Sequence, residues 1–226
     1  MRWEDGRKSE NIEDRRGRRM TPGLTGGGII IFLLALVAMY FGIDPSFILQ
    51  IDDQLGGDRT ASIDYVPTAE ENRLAEFVAV VLADTEDTWQ SGFQLMGRTY
   101  VEPKLVLFSG AVSSACGFAQ TAMGPFYCPG DRKVYIDLNF YQDLKNKLGA
   151  PGDFAQAYVI AHEVGHHVQN LLGILDMVHE ARQGLSEAEY NRLLVRLELQ
   201  ADCLAGVWAN HADRVRGVVE PGDIDE

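Results

Sequence analysis

Two histidines and a glutamate form the clearest chemical signal in the sequence. His162, Glu163 and His166 make an H-E-x-x-H pattern. On a helix, four residues make slightly more than one turn, so both imidazoles project from one face and can bind the same metal ion. Glu163 lies beside them, where its carboxylate can take a proton from a water molecule. We expect His162 and His166 to bind zinc and Glu163 to act as the catalytic general base.

The third ligand has to come from another part of the chain. Catalytic zinc is held by three protein ligands and keeps one position open for water, whose pKa it lowers to about 7. A continuation to H-E-x-x-H-x-x-G-x-x-H would need glycine and histidine where the chain has Gln169 and Leu172, so that ligand set is excluded. A carboxylate from a later helix is the remaining option.

A pair of carboxylates on a later helix fits this requirement. Glu198 and Asp202 are four residues apart and share one helical face, in a stretch from 197 to 208 with no other charged residue. Carboxylates within an apolar helix need partners. We expect Glu198 to be the third zinc ligand and Asp202 to accept the free ring N–H of a ligating histidine. Asp202, His179 and His211 remain alternative ligands, and a solvated acidic stripe is the simplest alternative for the pair.

Three neighbours of the motif have other expected roles. Gly165 costs about 1 kcal/mol relative to alanine inside a helix, and we expect it to permit close approach of the second helix. His167 points about 100° away from the ligand face, which favours a structural or substrate-side role. Gln169 lies one turn after His166 and is expected to pack or to meet solvent, with a supporting contact to a ligand as the alternative.

Two helices must position these residues, and a third precedes them. The first is predicted to begin near Asp153, as its N-cap, and to end near Leu172. The second is predicted from a capping box that starts at Ser186. The earlier helix is predicted from a capping box at Thr68 and from apolar residues at helical spacing up to about Trp89.

Between these helices the sequence predicts a small sheet with an irregular edge. The runs 104–108 and 134–137 are rich in β-formers, and a segment rich in glycine and proline connects them. Cys116 and Cys128 lie in that connection, whereas Cys203 falls inside a helical pattern. We expect a Cys116–Cys128 disulfide if the domain is outside the cytoplasm, with three reduced thiols as the alternative.

An apolar segment near the N-terminus predicts membrane attachment. Residues 20–43 contain no charged residue, and 24–43 would span roughly 30 Å as a helix, the thickness of the hydrocarbon core. Four arginines precede this segment and three aspartates follow it: Arg15, Arg16, Arg18 and Arg19, then Asp44, Asp52 and Asp53. The positive-inside rule places the N-terminus in the cytoplasm and the following domain outside. A cleaved signal peptide is the alternative, but no A-x-A-like site follows.

Length, composition and charge predict one catalytic domain with a short appendage. The chain has 226 residues, of which 46% are hydrophobic and 23% charged, as in ordinary globular proteins. Its net charge of −13 argues against a nucleic-acid partner, because phosphate binding needs a basic surface. We predict a basic cytoplasmic tail at 1–23, a transmembrane signal anchor at 24–43, a linker at 44–66 and a zinc metallopeptidase domain at 67–226.

Several motifs in the same order resemble the bacterial neutral zinc metallopeptidase family. They are 105–110 (LVLFSG), 114–117 (SACG), 124–129 (GPFYCP), 134–137 (VYID), 162–169 (HEVGHHVQ) and 198–206 (ELQADCLAG). The likeness covers nearly the whole chain, including the basic N-terminus and the single predicted span. The resemblance implies a zincin-like fold and peptidase activity. Members usually continue for several dozen residues further, so we expect this chain to be incomplete at its C-terminus.

These observations together predict a membrane-anchored α+β zincin-like domain that cleaves peptide or protein substrates. Zinc would polarise the scissile carbonyl, while Glu163 deprotonates the attacking water and returns the proton to the leaving amine. His179, Tyr190 and His211 are candidates for stabilising the oxyanion. Two alternatives stay open. One is a zinc amidase that acts on a non-peptide cell-wall bond, and the other is a membrane-anchored binding or assembly protein whose zinc is structural and has four protein ligands.

Overall fold

The computed structural model describes residues 1–17, 65–120, 123–141, 144 and 152–225. The chain divides into two compact units, one formed by Met1–Arg16 with Val66–Glu226 and the other by Gly17–Tyr65. The predicted span at 24–43 lies outside the described residues, as does nearly all of the predicted linker at 44–66. Among the residues described, no helix is both long and apolar enough to cross a bilayer.

The described part of the chain has mixed α and β structure, which agrees with the predicted α+β class. Its helices are α1 (Ala69–Leu95), α2 (Asp153–Leu171), α3 (Ile174–Ala181) and α4 (Glu187–Arg216). Its strands are β1 (Ile12–Asp14), β2 (Lys104–Phe108), β3 (Ala111–Ser114), β4 (Gly117–Gln120), β5 (Phe126–Cys128) and β6 (Lys133–Asp137). Short 3-10 turns lie at Arg182–Gly184 and Asp223–Asp225.

Helices α1 and α4 begin with the two predicted capping boxes. Thr68 accepts a hydrogen bond from the backbone N–H of Glu71, whose side chain accepts one from the backbone N–H of Thr68. Ser186 and Glu189 make the same reciprocal pair at the start of α4. Each box satisfies two backbone donors that a helix start would otherwise leave unpaired.

The predicted N-cap of α2 is wrong by one residue. Gly152 is the N-cap, and no side chain caps the helix there. Asp153 is instead the first helical residue, and its carboxylate forms an ion pair with the α-amino group of Met1 at 2.5 Å. The carboxylate is therefore engaged by the N-terminal segment.

The main sheet has the order β1-β2-β6-β5, with β1, β2 and β6 parallel and β5 antiparallel to β6. Successive side chains of strand β2 point to opposite faces of the sheet, and both faces are covered. Leu105 and Leu107 face the helices, while Val106 and Phe108 face the β3–β4 hairpin. The hairpin thus covers the face of the sheet that the helices leave open.

The helix side of the sheet holds the larger core. Helices α1, α2 and α4 contribute its buried apolar residues together with β2 and β6, and Phe154 of α2 stacks on the fully buried Trp208 of α4 at 6.2 Å between ring centroids. Helices α2 and α4, which carry the candidate site, are therefore fixed to each other through the core.

A disulfide joins Cys116 to Cys128. It links the turn of the β3–β4 hairpin to strand β5. Cys203 is a free, exposed thiol on α4.

Candidate metal centre

Helices α2 and α4 approach most closely at Gly165. A Cβ atom added to Gly165 would lie 3.0 Å from the carbonyl oxygen of Ala201 and 3.3 Å from its Cα atom. Real Cβ atoms rarely come that near to backbone, so glycine permits this separation of the helices. The close approach expected from Gly165 is confirmed, and it brings the start of the Glu198–Asp202 face to the histidines.

The two motif histidines and Glu198 converge on one point. The Nε2 atom of His162 lies 3.3 Å from Oε2 of Glu198, and Nε2 of His166 lies 3.3 Å from the same oxygen. All three potential ligand atoms lie within 4.8 Å of one another. The His162 and His166 side chains are largely buried, whereas 56% of the Glu198 side chain is exposed, so the group opens to solvent on the α4 side.

The Nδ1 atom of each imidazole, on the side of the ring away from Glu198, forms a hydrogen bond with an oxygen. Asp202 Oδ1 lies 2.9 Å from Nδ1 of His162, and Gln169 Oε1 lies 2.9 Å from Nδ1 of His166. A carboxylate and an amide oxygen can only accept hydrogen bonds, so each Nδ1 carries the proton. Each Nε2 atom then presents a lone pair toward Glu198.

The amide orientation of Gln169 is fixed by its other contacts. Its nitrogen donates to the carbonyl oxygen of Leu197 at 2.8 Å and to Oε1 of Gln200 at 3.0 Å. The Gln169 side chain is fully buried. Gln169 therefore supports His166 through a hydrogen bond, the alternative role considered for it from the sequence.

Three electron-pair donors with no proton between them suit a cation. Two neutral Nε2 atoms and a carboxylate oxygen at 3.3 Å cannot hydrogen-bond to one another in these tautomers. Tetrahedral zinc with Zn–N and Zn–O bonds of about 2.1 Å separates its ligand atoms by about 3.4 Å. The donor set, two imidazoles and one carboxylate, also matches the ligands that catalytic zinc takes.

Glu163 lies next to this group and is shielded from solvent. Burial, and to a smaller extent the carboxylate of Glu198, raise the pKa of its carboxyl group to about 7. A hydrogen bond from the backbone N–H of Tyr127 acts in the opposite direction, as would His166 if its imidazole were protonated. A carboxyl group whose pKa is near neutrality can both take up and release a proton there.

The Tyr127 side chain ties strand β5 to helix α2. His167 places Nε2 2.6 Å from the carbonyl oxygen of Val101, so Nε2 carries the proton and Nδ1 accepts the hydrogen bond of the Tyr127 hydroxyl at 2.9 Å. Asn170 donates to the same hydroxyl at 2.8 Å. Burial lowers the pKa of His167 to about 4, which keeps the ring neutral. His167 is therefore structural, one of its two expected roles.

Comparison with known proteins identifies the family of the chain. The family model described as "Putative neutral zinc metallopeptidase" matches residues 1–226. The chain belongs to this family.

Two curated proteins are similar to the chain over most of its length. It is 49% identical over 235 aligned positions to "Uncharacterized protein YpfJ" of Escherichia coli K12, covering 100% of this chain and 80% of that protein. It is 40% identical over 185 positions to "Uncharacterized protein Mb2605" of Mycobacterium bovis, covering 79% of this chain and 60% of that protein. No solved structure matches the chain.

The three oxyanion candidates named from the sequence have other contacts or are exposed in the structure. His211 contacts Thr88 through Nδ1 at 3.1 Å, and Tyr190 lies under the guanidinium group of Arg182. His179 is exposed on α3. Among the described residues, none of the three belongs to the His162, His166 and Glu198 group. Tyr127 is the contact to Glu163 that sequence reasoning missed, although the GPFYCP motif contains it.

Proposed function

We propose that this neutral zinc metallopeptidase is a membrane-attached peptidase in which His162, His166 and Glu198 hold zinc and Glu163 is the general base. The observation that carries the proposal is the convergence of two proton-free Nε2 atoms on one oxygen of Glu198. Peptide or protein substrates follow from the chemistry named in the family description.

Each residue of the site has a distinct part in this proposal. Bound zinc supplies Lewis-acid activation of water and of the scissile carbonyl. Glu163 takes the proton from the attacking water and delivers it to the leaving amine, a task for which a pKa of about 7 is suited. Asp202 and Gln169 hold the imidazoles in the tautomer that binds metal.

The exposure of Glu198 favours a catalytic metal over a structural one. A structural zinc is closed by four protein ligands, whereas a catalytic zinc keeps a position open. Within the described residues the group contains three ligands, and its Glu198 side is open to solvent.

Membrane attachment through residues 24–43 is the second part of the proposal. It is supported by the absence of charge in residues 20–43. We place the domain outside the cytoplasm because the Cys116–Cys128 disulfide fits an oxidising compartment.

Metal analysis and one conservative variant test the enzymatic proposal. The purified chain should contain one zinc ion, and Glu163→Gln should keep the zinc while cleavage of a broad peptide library falls about 10²–10⁴-fold. His166→Ala, as the matched control, should lose both zinc and activity. A Glu163→Gln variant that cleaves peptides as fast as the unmodified chain would refute the assigned base.

A further inference from the structure

Residues 1–16 complete the catalytic unit although an apolar segment separates them from it in the sequence. Strand β1 extends the main sheet by pairing in parallel with β2, with Ile12 opposite Leu105. Its ends are fastened by two backbone hydrogen bonds of 2.8 Å, from Leu105 to the carbonyl oxygen of Asn11 and from Arg15 to that of Leu107. The N-terminal segment is thus an edge of the central sheet.

The same segment satisfies a buried acid on helix α1. Glu86 is 2% exposed. Its carboxylate accepts hydrogen bonds from the hydroxyl of Ser9 at 2.5 Å, the amide of Asn11 at 3.0 Å and the guanidinium of Arg7 at 3.1 Å. Removing the partner of a buried charge strongly destabilises the fold. Glu86 therefore depends on the N-terminal segment.

An aromatic contact continues the interface along α1. The buried Trp3 packs edge-on against Phe77, with 5.3 Å between ring centroids. The guanidinium group of Arg73 lies over the Trp3 ring, 5.7 Å from its centroid. Met1 and Trp3 both belong to the main core cluster. The contacts are those of a domain interior.

These contacts cannot form across a bilayer, whose hydrocarbon core is about 30 Å thick. We propose that residues 1–16 and the catalytic domain lie on the same side of the membrane, so that Arg16 and Val66 face the same compartment. The proposal rests on membrane attachment of residues 24–43. It replaces the single-span topology that the positive-inside rule predicts from the sequence.

Two of the four arginines behind that sequence prediction have partners within the folded unit. Arg15 pairs with Glu13 at 2.6 Å, and Arg16 pairs with Asp14 at 2.6 Å. Glu13 in turn binds Lys133 of strand β6 at 2.7 Å. These arginines therefore have a role in the folded unit, separate from any role in orientation.

Thiol labelling of the full chain in intact cells tests the proposal directly. In a Cys203→Ser background, Glu10→Cys reports on the N-terminal segment and Glu187→Cys on the domain, since both glutamates are exposed. A membrane-impermeant maleimide should label both variants, or should label both only after lysis. Labelling of one in intact cells and of the other only after lysis would overturn the proposal.

A crosslink measures the packing itself in isolated membranes. Lys8 and Glu76 form an exposed ion pair at 3.1 Å, so the Lys8→Cys, Glu76→Cys double variant should be bridged by a short homobifunctional thiol reagent. Either single variant should not be. Absence of the bridge in membranes, with a folded chain by circular dichroism, would also refute the proposal. Neither readout uses zinc or activity, so failure of the peptidase assignment leaves both unchanged, and recovery of the chain in the soluble fraction would refute membrane attachment instead.

Discussion

His162 and Asp202 are joined by a hydrogen bond of 2.9 Å between Nδ1 and Oδ1, across the interface of helices α2 and α4. The bond sets both the tautomer and the direction of the imidazole, so that its Nε2 atom faces Glu198. Asp202 thus acts on the metal site through His162, whereas Glu198 contributes an oxygen directly. This difference can be measured.

Glu198→Ala should lose zinc at modest chelator concentrations, because only two protein ligands would remain. Asp202→Asn should still bind zinc at saturation, with affinity or activity reduced by about 10–100-fold. Competition with a chromophoric chelator gives both dissociation constants. The two roles are exchanged if Asp202→Asn is the variant that loses the metal and Glu198→Ala keeps it.

Gly165→Ala should weaken zinc binding without unfolding helix α2. Alanine has the higher helix propensity by about 1 kcal/mol, but its Cβ would meet the backbone of Ala201 at 3.0 Å and push α4 away. Overpacking of this kind costs about 1–3 kcal/mol. Gly206→Ala on α4 is the matched control, since a Cβ there would contact nothing within 4 Å.

Urea unfolding and zinc titration of both glycine variants give the comparison. Gly206→Ala should be as stable as the unmodified chain or more stable, with unchanged zinc affinity. Equal zinc affinity in Gly165→Ala would show that the helices can separate without moving Glu198.

The stability of the metal-free protein should fall as pH rises from about 4.5 to 7. In this window Glu163 is ionised in the unfolded chain but holds its proton in the fold, where its pKa is about 7. The folded state then binds more protons than the unfolded state, so unfolding becomes easier with rising pH. Glu163→Gln removes this contribution. The free energy of unfolding of the variant, relative to that of the unmodified chain, should therefore rise by about 1–3 kcal/mol from pH 5 to pH 8.

Urea denaturation of both metal-free proteins at pH 5 and pH 8 isolates the effect, because the two chains differ only in this side chain. If the free energies of unfolding of the two proteins change with pH in parallel, the Glu163 carboxyl group has an ordinary pKa.

Tyr127→Phe should destabilise the fold by about 1–3 kcal/mol, because it leaves Nδ1 of the buried His167 and the amide of Asn170 without their shared partner. Zinc stoichiometry should stay at one per chain. Tyr190→Phe, at a half-buried tyrosine that stacks on Arg182, should change the free energy of unfolding by less than about 0.5 kcal/mol. Thermal unfolding and metal analysis of both variants test this prediction. Equal destabilisation of the two variants would contradict it.

The site residues could be predicted from the sequence because helical spacing is a local property. The four-residue separation of His162 and His166, and of Glu198 and Asp202, defines a face before any fold is known. The capping boxes at Thr68 and Ser186 are local in the same way, and both helix starts were predicted correctly.

Other contacts depend on residues that are far apart in the sequence. Strand β1 has only three residues, Ile-Glu-Asp, with no alternation long enough to predict a strand, and its partner β2 is distant in the chain. The contact of Gln169 with His166 depends on where Leu197 and Gln200 hold the amide. The hydrogen bond from Tyr127 to Glu163 depends on the antiparallel pairing of β5 with β6.

The pairing of β1 with β2 also limits when the sheet can form during translation. Leu105, which lies opposite Ile12, is made about ninety residues later, a delay of roughly 5 to 20 s at ordinary elongation rates. Glu86 likewise emerges well after Arg7, Ser9 and Asn11, the three side chains that its carboxylate binds. Strand β1 therefore leaves the ribosome well before its native partner β2 has been translated.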